Sequence, residues 1–111
     1  MNDKLKDKHT DDLCDALLTL QTREECYSLF EDLCTISEIK SLAQRFQVAI
    51  LLEKGHTYSE ILNETGVSTA TISRVKRCLD YGADGYKTVL SRMNLSDGHS
   101  ENGKLEGKDK K

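Results

Sequence analysis

The chain has 111 residues, a formal net charge of −3, 32% charged and 5% aromatic residues, and neither proline nor tryptophan. This length suffices for one domain around one core, and the composition points to a helical, soluble protein. No apolar run approaches the roughly 20 residues that span a bilayer, and the polar start MNDKLKDKHTDD is unlike a signal peptide. No membrane partner and a cytoplasmic location are therefore expected.

Residues 1–9 and 95–111 are polar and non-periodic, so a disordered N-terminal arm and C-terminal tail are expected to flank a folded domain over 10–94. Within that domain the pattern predicts about six helices and no strand, an all-α fold. Leu13, Ala16, Leu17 and Leu20 stripe the first, with Thr10 as its candidate N-cap. Thr22 and Glu25 stand at capping-box spacing and open a second, striped by Cys26, Leu29, Phe30 and Leu33. Thr35 and Glu38 form another such pair and open the longest helix, about Ile36 to Lys54, which Gly55 ends.

Val48-Ala49-Ile50-Leu51-Leu52 in the long helix is apolar all round, and such a segment must be buried on every side. Short helices with one narrow stripe each cover it poorly, so a partner chain sharing the core, hence a homodimer, is expected.

Thr57–Arg77, TYSEILNETGVSTATISRVKR, then spells two short helices around a sharp turn. Thr57 and Glu60 make a capping box, and Tyr58, Ile61 and Leu62 share one face. Gly66 supplies the turn, since glycine accepts a positive φ without steric cost. Val67 plugs the corner and Ser68 caps the second helix. On a helical wheel Ile72, Val75 and Leu79 face inward. Ala70, Ser73, Arg74 and Arg77 face outward, with Thr69 and Lys76 towards the edges. Helix, glycine turn, helix is the arrangement that presents a recognition helix to the DNA major groove. Small residues let a backbone approach base edges, and arginines hold phosphate or guanine. An ordinary amphipathic helix with a solvated basic face is the open alternative. Beyond it, Gly82 breaks the chain, and Tyr86, Val89, Leu90 and Met93 stripe a last helix.

Charge is unevenly placed. Residues 1–35 carry a net −5 and residues 36–94 a net +2, while the tail balances. Binding responds to the local field, so the acidic total does not exclude a nucleic-acid partner. Cys14, Cys26, Cys34 and Cys78 show no CxxC spacing, and His9, His56 and His99 lie far apart. No metal, cofactor or catalytic constellation is expected, and reduced, small core residues are the default reading of the cysteines.

Across about Asp11–Asn94 the chain resembles the Trp repressor family, most closely in LCTISEIKSLAQRFQVAILLEKGHTYSEILNETGVSTATISRVKRCL. The resemblance implies a six-helix, intertwined homodimer with a helix-turn-helix on each chain, acting as a transcriptional regulator, most often a repressor, on double-stranded DNA. It implies that Thr69, Ala70 and Ser73 face bases and Thr71 a phosphate, within a DNA-contacting set of Ser68, Thr69, Ala70, Thr71, Ser73, Arg74, Lys76 and Arg77.

Arg45 and Arg74 match the two arginines that sandwich the tryptophan ligand in the family's namesake, and Thr35 matches a residue near the ligand carboxylate. Val75 stands for a glycine, however, and Cys78 for a serine that helps hold the ligand amino group. The loop after Gly55 is also one residue shorter. Tryptophan is therefore not expected as co-repressor. A different small effector near Thr35, Arg45 and Arg74 is one alternative. A protein-interaction adaptor using the acidic first third (Asp11, Asp12, Asp15, Glu24, Glu25, Glu31 and Asp32) is another.

Overall fold

The structure, a computed structural model, describes residues 3–94; the tail expected over 95–111 lies outside the described residues. Among the described residues there are six α-helices and no strand. The chain divides into two compact units, Met1–Ile39 and Lys40–Lys111.

In the first unit a short 3-10 turn, Asp3–Leu5, precedes α1, Lys8–Leu17. The helix starts earlier than the sequence pattern suggests, because Asp7 and not Thr10 is the N-cap. The Thr10 backbone N–H donates to the Asp7 carboxylate at 2.7 Å. A carboxylate is the stronger acceptor and suits the positive end of the helix dipole. Residues 8 and 9 are thus helical, not part of an arm. Leu20 falls beyond α1, which runs out into a 3-10-like turn, the Thr19 N–H donating to the Ala16 carbonyl and the Leu20 N–H to that of Leu17.

The next helix, α2, spans Arg23–Leu33. Thr22 caps it by accepting from the Glu25 N–H at 3.1 Å. The return half of the expected capping box differs: Glu25 accepts from the Gln21 N–H, at 2.8 Å. Neither α1 nor α2 buries a single residue fully in the chain alone. Leu18 is 83% exposed and Leu33 53%.

The 18-residue α3, Ile36–Glu53, crosses the boundary between the units. It opens on a complete capping box, with Glu38 N–H to the Thr35 hydroxyl at 3.1 Å and Thr35 N–H to the Glu38 carboxylate at 2.8 Å. It ends at Gly55, whose φ of 87° places it in the left-handed region. Gly55 N–H donates to the Leu52 carbonyl and His56 N–H to the Leu51 carbonyl. Those two bonds form a Schellman motif, which satisfies carbonyls that the helix itself leaves unpaired.

The second unit holds the core. Val48, Ala49 and Leu51 of α3 are buried together with Ile61, Val67, Ile72, Val75, Leu79 and Leu90. Ile50 and Leu52 are only partly covered, so the all-round apolar segment is not enclosed within one chain. Ile61 lies on α4, Tyr58–Thr65, and Ile72, Val75 and Leu79 on α5, Thr69–Tyr81. Leu90 lies on α6, Gly85–Arg92, which Gly82 separates from α5. A side chain at Gly82 would run into the Cys78 backbone carbonyl, so the chain needs glycine there to leave α5 as it does.

Candidate nucleic-acid interface

Two capped helices and the turn between them set the geometry of the candidate interface. Thr57 and Glu60 close the start of α4 reciprocally, Glu60 N–H to the Thr57 hydroxyl at 3.1 Å and Thr57 N–H to the Glu60 carboxylate at 2.8 Å. That backbone donation holds the Glu60 carboxyl below its ordinary value, as the Thr35 N–H does for Glu38. Gly66 ends α4 at φ 74°, the left-handed conformation expected of it. Its N–H donates to the Leu62 carbonyl at 2.9 Å. Val67, 8% exposed, plugs the corner. Its N–H donates to the Thr65 hydroxyl at 3.3 Å. Ser68 then caps α5 by accepting from the Thr71 N–H at 3.2 Å.

The α5 helix is split cleanly into two faces. Ile72, Val75 and Leu79 are at most 4% exposed. Thr69, Ala70, Ser73, Arg74, Lys76 and Arg77 are exposed. The wheel placement of the outward residues therefore holds in the folded chain. Thr71 is half-buried, and its hydroxyl lies 3.1 Å from that of Ser68, so both hydroxyls are engaged locally at the start of the helix. The outward face is small at its leading end and cationic from Arg74 onward, while α5 has no acidic residue in its first turn.

The three cations on α5 are not equivalent. Arg74 and Arg77 make no hydrogen bond or ion pair among the described residues. Lys76 lies 3.0 Å from the Asp80 carboxylate, one turn further on. The hydrogen bond to Asp80 and its charge raise the Lys76 ammonium above its ordinary value, with weaker contributions from the Tyr58 and Tyr81 phenols. Sequence reading missed this pair, although the i, i+4 spacing of Lys76 and Asp80 was there to be read.

The shared face of α4 is unevenly covered. Of Tyr58, Ile61 and Leu62, only Ile61 is buried, and Tyr58 and Leu62 are 38% and 39% exposed. The α4 helix is eight residues long and meets the core along one narrow line, so its flanking apolar residues stay at the rim.

The candidate effector residues are dispersed along their elements. Thr35 caps α3 with its hydroxyl committed to the Glu38 N–H. Arg45 is half-buried on α3 without a hydrogen bond or ion pair among the described residues. Arg74 is exposed on α5. A cavity of about 480 Å³ is lined instead by Phe46, Cys78, Ala83, Gly85, Tyr86 and Val89, with the Phe46 and Tyr86 rings 6.3 Å apart. Among the described residues no cluster of His, Cys, Asp or Glu is arranged to hold a metal ion, and no helix is long and apolar enough to cross a membrane.

Comparison with known proteins bears on the same residues. The family described as Trp repressor protein matches residues 8–94. The uncharacterized protein YerC of Bacillus subtilis (strain 168) is 58% identical over 91 residues, covering 82% of this chain and 88% of YerC. A crystal structure of a candidate Trp repressor from Staphylococcus aureus superposes with a TM-score of 0.81 at 55% identity, over 86% of this chain and 95% of that one. A TrpR-like protein from Eubacterium eligens superposes with a TM-score of 0.80 at 52% identity, over 83% and 95% respectively. The strand-free, six-helix arrangement expected from the sequence is the fold these structures share.

Proposed function

The chain belongs to the Trp repressor family, and from that membership we propose that it is a sequence-specific, DNA-binding transcription regulator. It acts as a homodimer and a repressor, reading a palindromic operator through the helix-turn-helix Thr57–Arg77. The observation that carries this reading is the two-faced α5. Three core residues anchor it from behind while Ala70, Ser73, Arg74 and Arg77 stand free in front. Ser68 at the cap and Thr69 beside it complete the end that enters the groove, where Thr69, Ala70 and Ser73 meet base edges. Thr71, Lys76 and the arginines serve the phosphates.

Dimerisation is supported by what one chain leaves uncovered. Its first two helices bury no residue, and Leu18, Leu33 and Ile36 are 83%, 53% and 77% exposed. Apolar exposure on this scale marks an interface. A second copy would also supply the second recognition helix that a palindrome with half-sites about one DNA turn apart requires.

Tryptophan is not the effector in this reading. Val75, where the family's namesake has glycine, is packed at 1% exposure, and the Cys78 thiol is a weak hydrogen-bond partner. A second reading, gating by another small molecule, draws support from Arg45, half-buried and without an ion pair among the described residues. Thermal-shift measurement against metabolite pools tests it: stabilisation by tryptophan would overturn the first reading, and stabilisation by another compound would favour the second. For DNA binding itself, anisotropy of a labelled duplex at several salt concentrations is the test. Affinity that ignores both salt and DNA sequence would refute it.

A further inference from the structure

Asp80 is oddly placed for a residue that merely decorates a helix surface. It occupies the last turn of α5, which contains no basic residue. An anion there opposes the negative C-terminal end of the helix dipole. Its partner Lys76 precedes it by four residues, the less favourable order for an acid–base pair on a helix. Helix stability therefore accounts for Asp80 only weakly, yet its carboxylate sits 3.0 Å from the Lys76 ammonium. The side chains of Lys76 and Asp80 are 49% and 40% exposed, respectively. Lys76 in turn stands between Arg74 and Arg77, which have no such partner among the described residues.

We propose that Asp80 is an affinity-setting residue of the DNA-reading head, an internal counter-ion that withholds Lys76 from the phosphate backbone. The proposal rests on the DNA-binding reading of α5 given above. A phosphate that takes Lys76 must displace Asp80 and leave that carboxylate unpaired beside polyanionic DNA. Each head then presents two readily available cations, Arg74 and Arg77, where its sequence shows three. An exposed pair of this spacing is weak, so Asp80 attenuates the contact and does not abolish it. The attenuation falls on the sequence-independent part of binding, because phosphate contacts carry no base information. Discrimination between operator and bulk DNA is preserved while total affinity is held down.

The test is a cycle of Asp80→Asn, Lys76→Met and the double variant in the full chain. Binding is followed by anisotropy on a labelled mixed-sequence duplex of about 30 base pairs, long enough for two half-sites one turn apart. Asp80→Asn is expected to tighten binding roughly threefold or more near 100 mM salt. It should also steepen the plot of log K against log[salt] by up to about 1.8, from about 0.9 for each phosphate gained by the two chains of a dimer. Lys76→Met should cost much more affinity with Asn at position 80 than with Asp. The melting temperature should not fall in Asp80→Asn, which a helix-stabilising role for the pair would require. Equal cost of Lys76→Met in both backgrounds, or binding by Asp80→Asn within twofold of the unaltered chain, overturns the proposal alone. Absence of DNA binding by every protein in the cycle instead removes the reading on which it rests.

Discussion

Replacing Gly66 by alanine tests the turn that aims the recognition helix. Gly66 adopts φ 74° and ψ 5°, and a Cβ built there meets no atom within 4 Å. Steric collision therefore contributes nothing, and the cost is the backbone's alone, about 1–2 kcal/mol for an L-residue in the left-handed region. Alanine also narrows the unfolded ensemble, which offsets about 0.4–1 kcal/mol of that cost. The net is a destabilisation of about 1 kcal/mol, a fall in melting temperature on the order of 4–8 °C for a domain of this size.

Gly66→Asn should lose less, because asparagine tolerates this conformation. Gly82→Ala should lose more than either: its backbone conformation is open to any residue, but its Cβ meets the Cys78 carbonyl, which cannot rotate away. Urea denaturation at one fixed protein concentration measures all three, since a dimer's apparent stability depends on concentration. Gly66→Ala as stable as the unaltered protein, or Gly82→Ala milder than Gly66→Ala, would refute the reasoning.

Three further outcomes are expected. Ile72→Ala, which empties a fully buried position, should cost about 2–5 kcal/mol. Its neighbour Ser73→Ala should stay within about 0.5 kcal/mol while weakening operator binding; similar stabilities in denaturation would contradict the two-faced helix. The Arg74→Ala, Arg77→Ala double variant should fold normally and lose operator-specific binding with a shallower salt dependence. Unchanged affinity by anisotropy would displace the recognition face. The Glu38 and Glu60 carboxyls are lowered from an ordinary value of 4.5 by N–H donation from Thr35 and Thr57. The unfolded chain thus binds more protons, and their contribution is full above pH 4.5 and fades as pH falls through the lowered values. Melting of a Glu38→Gln, Glu60→Gln variant should therefore decline less steeply on the acid side, and parallel acid limbs would show that these caps are not titrating.

Much of the local structure was legible because capping is decided within four residues. Thr35–Glu38 and Thr57–Glu60 close reciprocally as their spacing implies, and Gly55 and Gly66 take the positive φ that ends α3 and α4. Where alternative acceptors or donors lie within the same few residues, spacing alone misleads: Asp7 caps α1 in place of Thr10, and Glu25 accepts from the Gln21 N–H in place of that of Thr22. The periodicity of α5 identified its buried side because three long apolar residues lie on one line. On α4 a shared face does not say how deeply each residue sits: Tyr58 and Leu62 stay at the rim, since a helix of eight residues reaches the core through Ile61 alone. The Lys76–Asp80 pair escaped notice because counting cations does not reveal which of them is already neutralised by a neighbour.

The central claim is that two copies of this chain read a palindrome through α5. Selection of bound fragments from random-sequence DNA by the unaltered full chain tests it most directly. The account predicts enrichment of an inverted repeat whose half-sites lie about one helical turn, roughly 10 base pairs, apart. Recovery of no sequence above background, or of a single unpaired site, would contradict it.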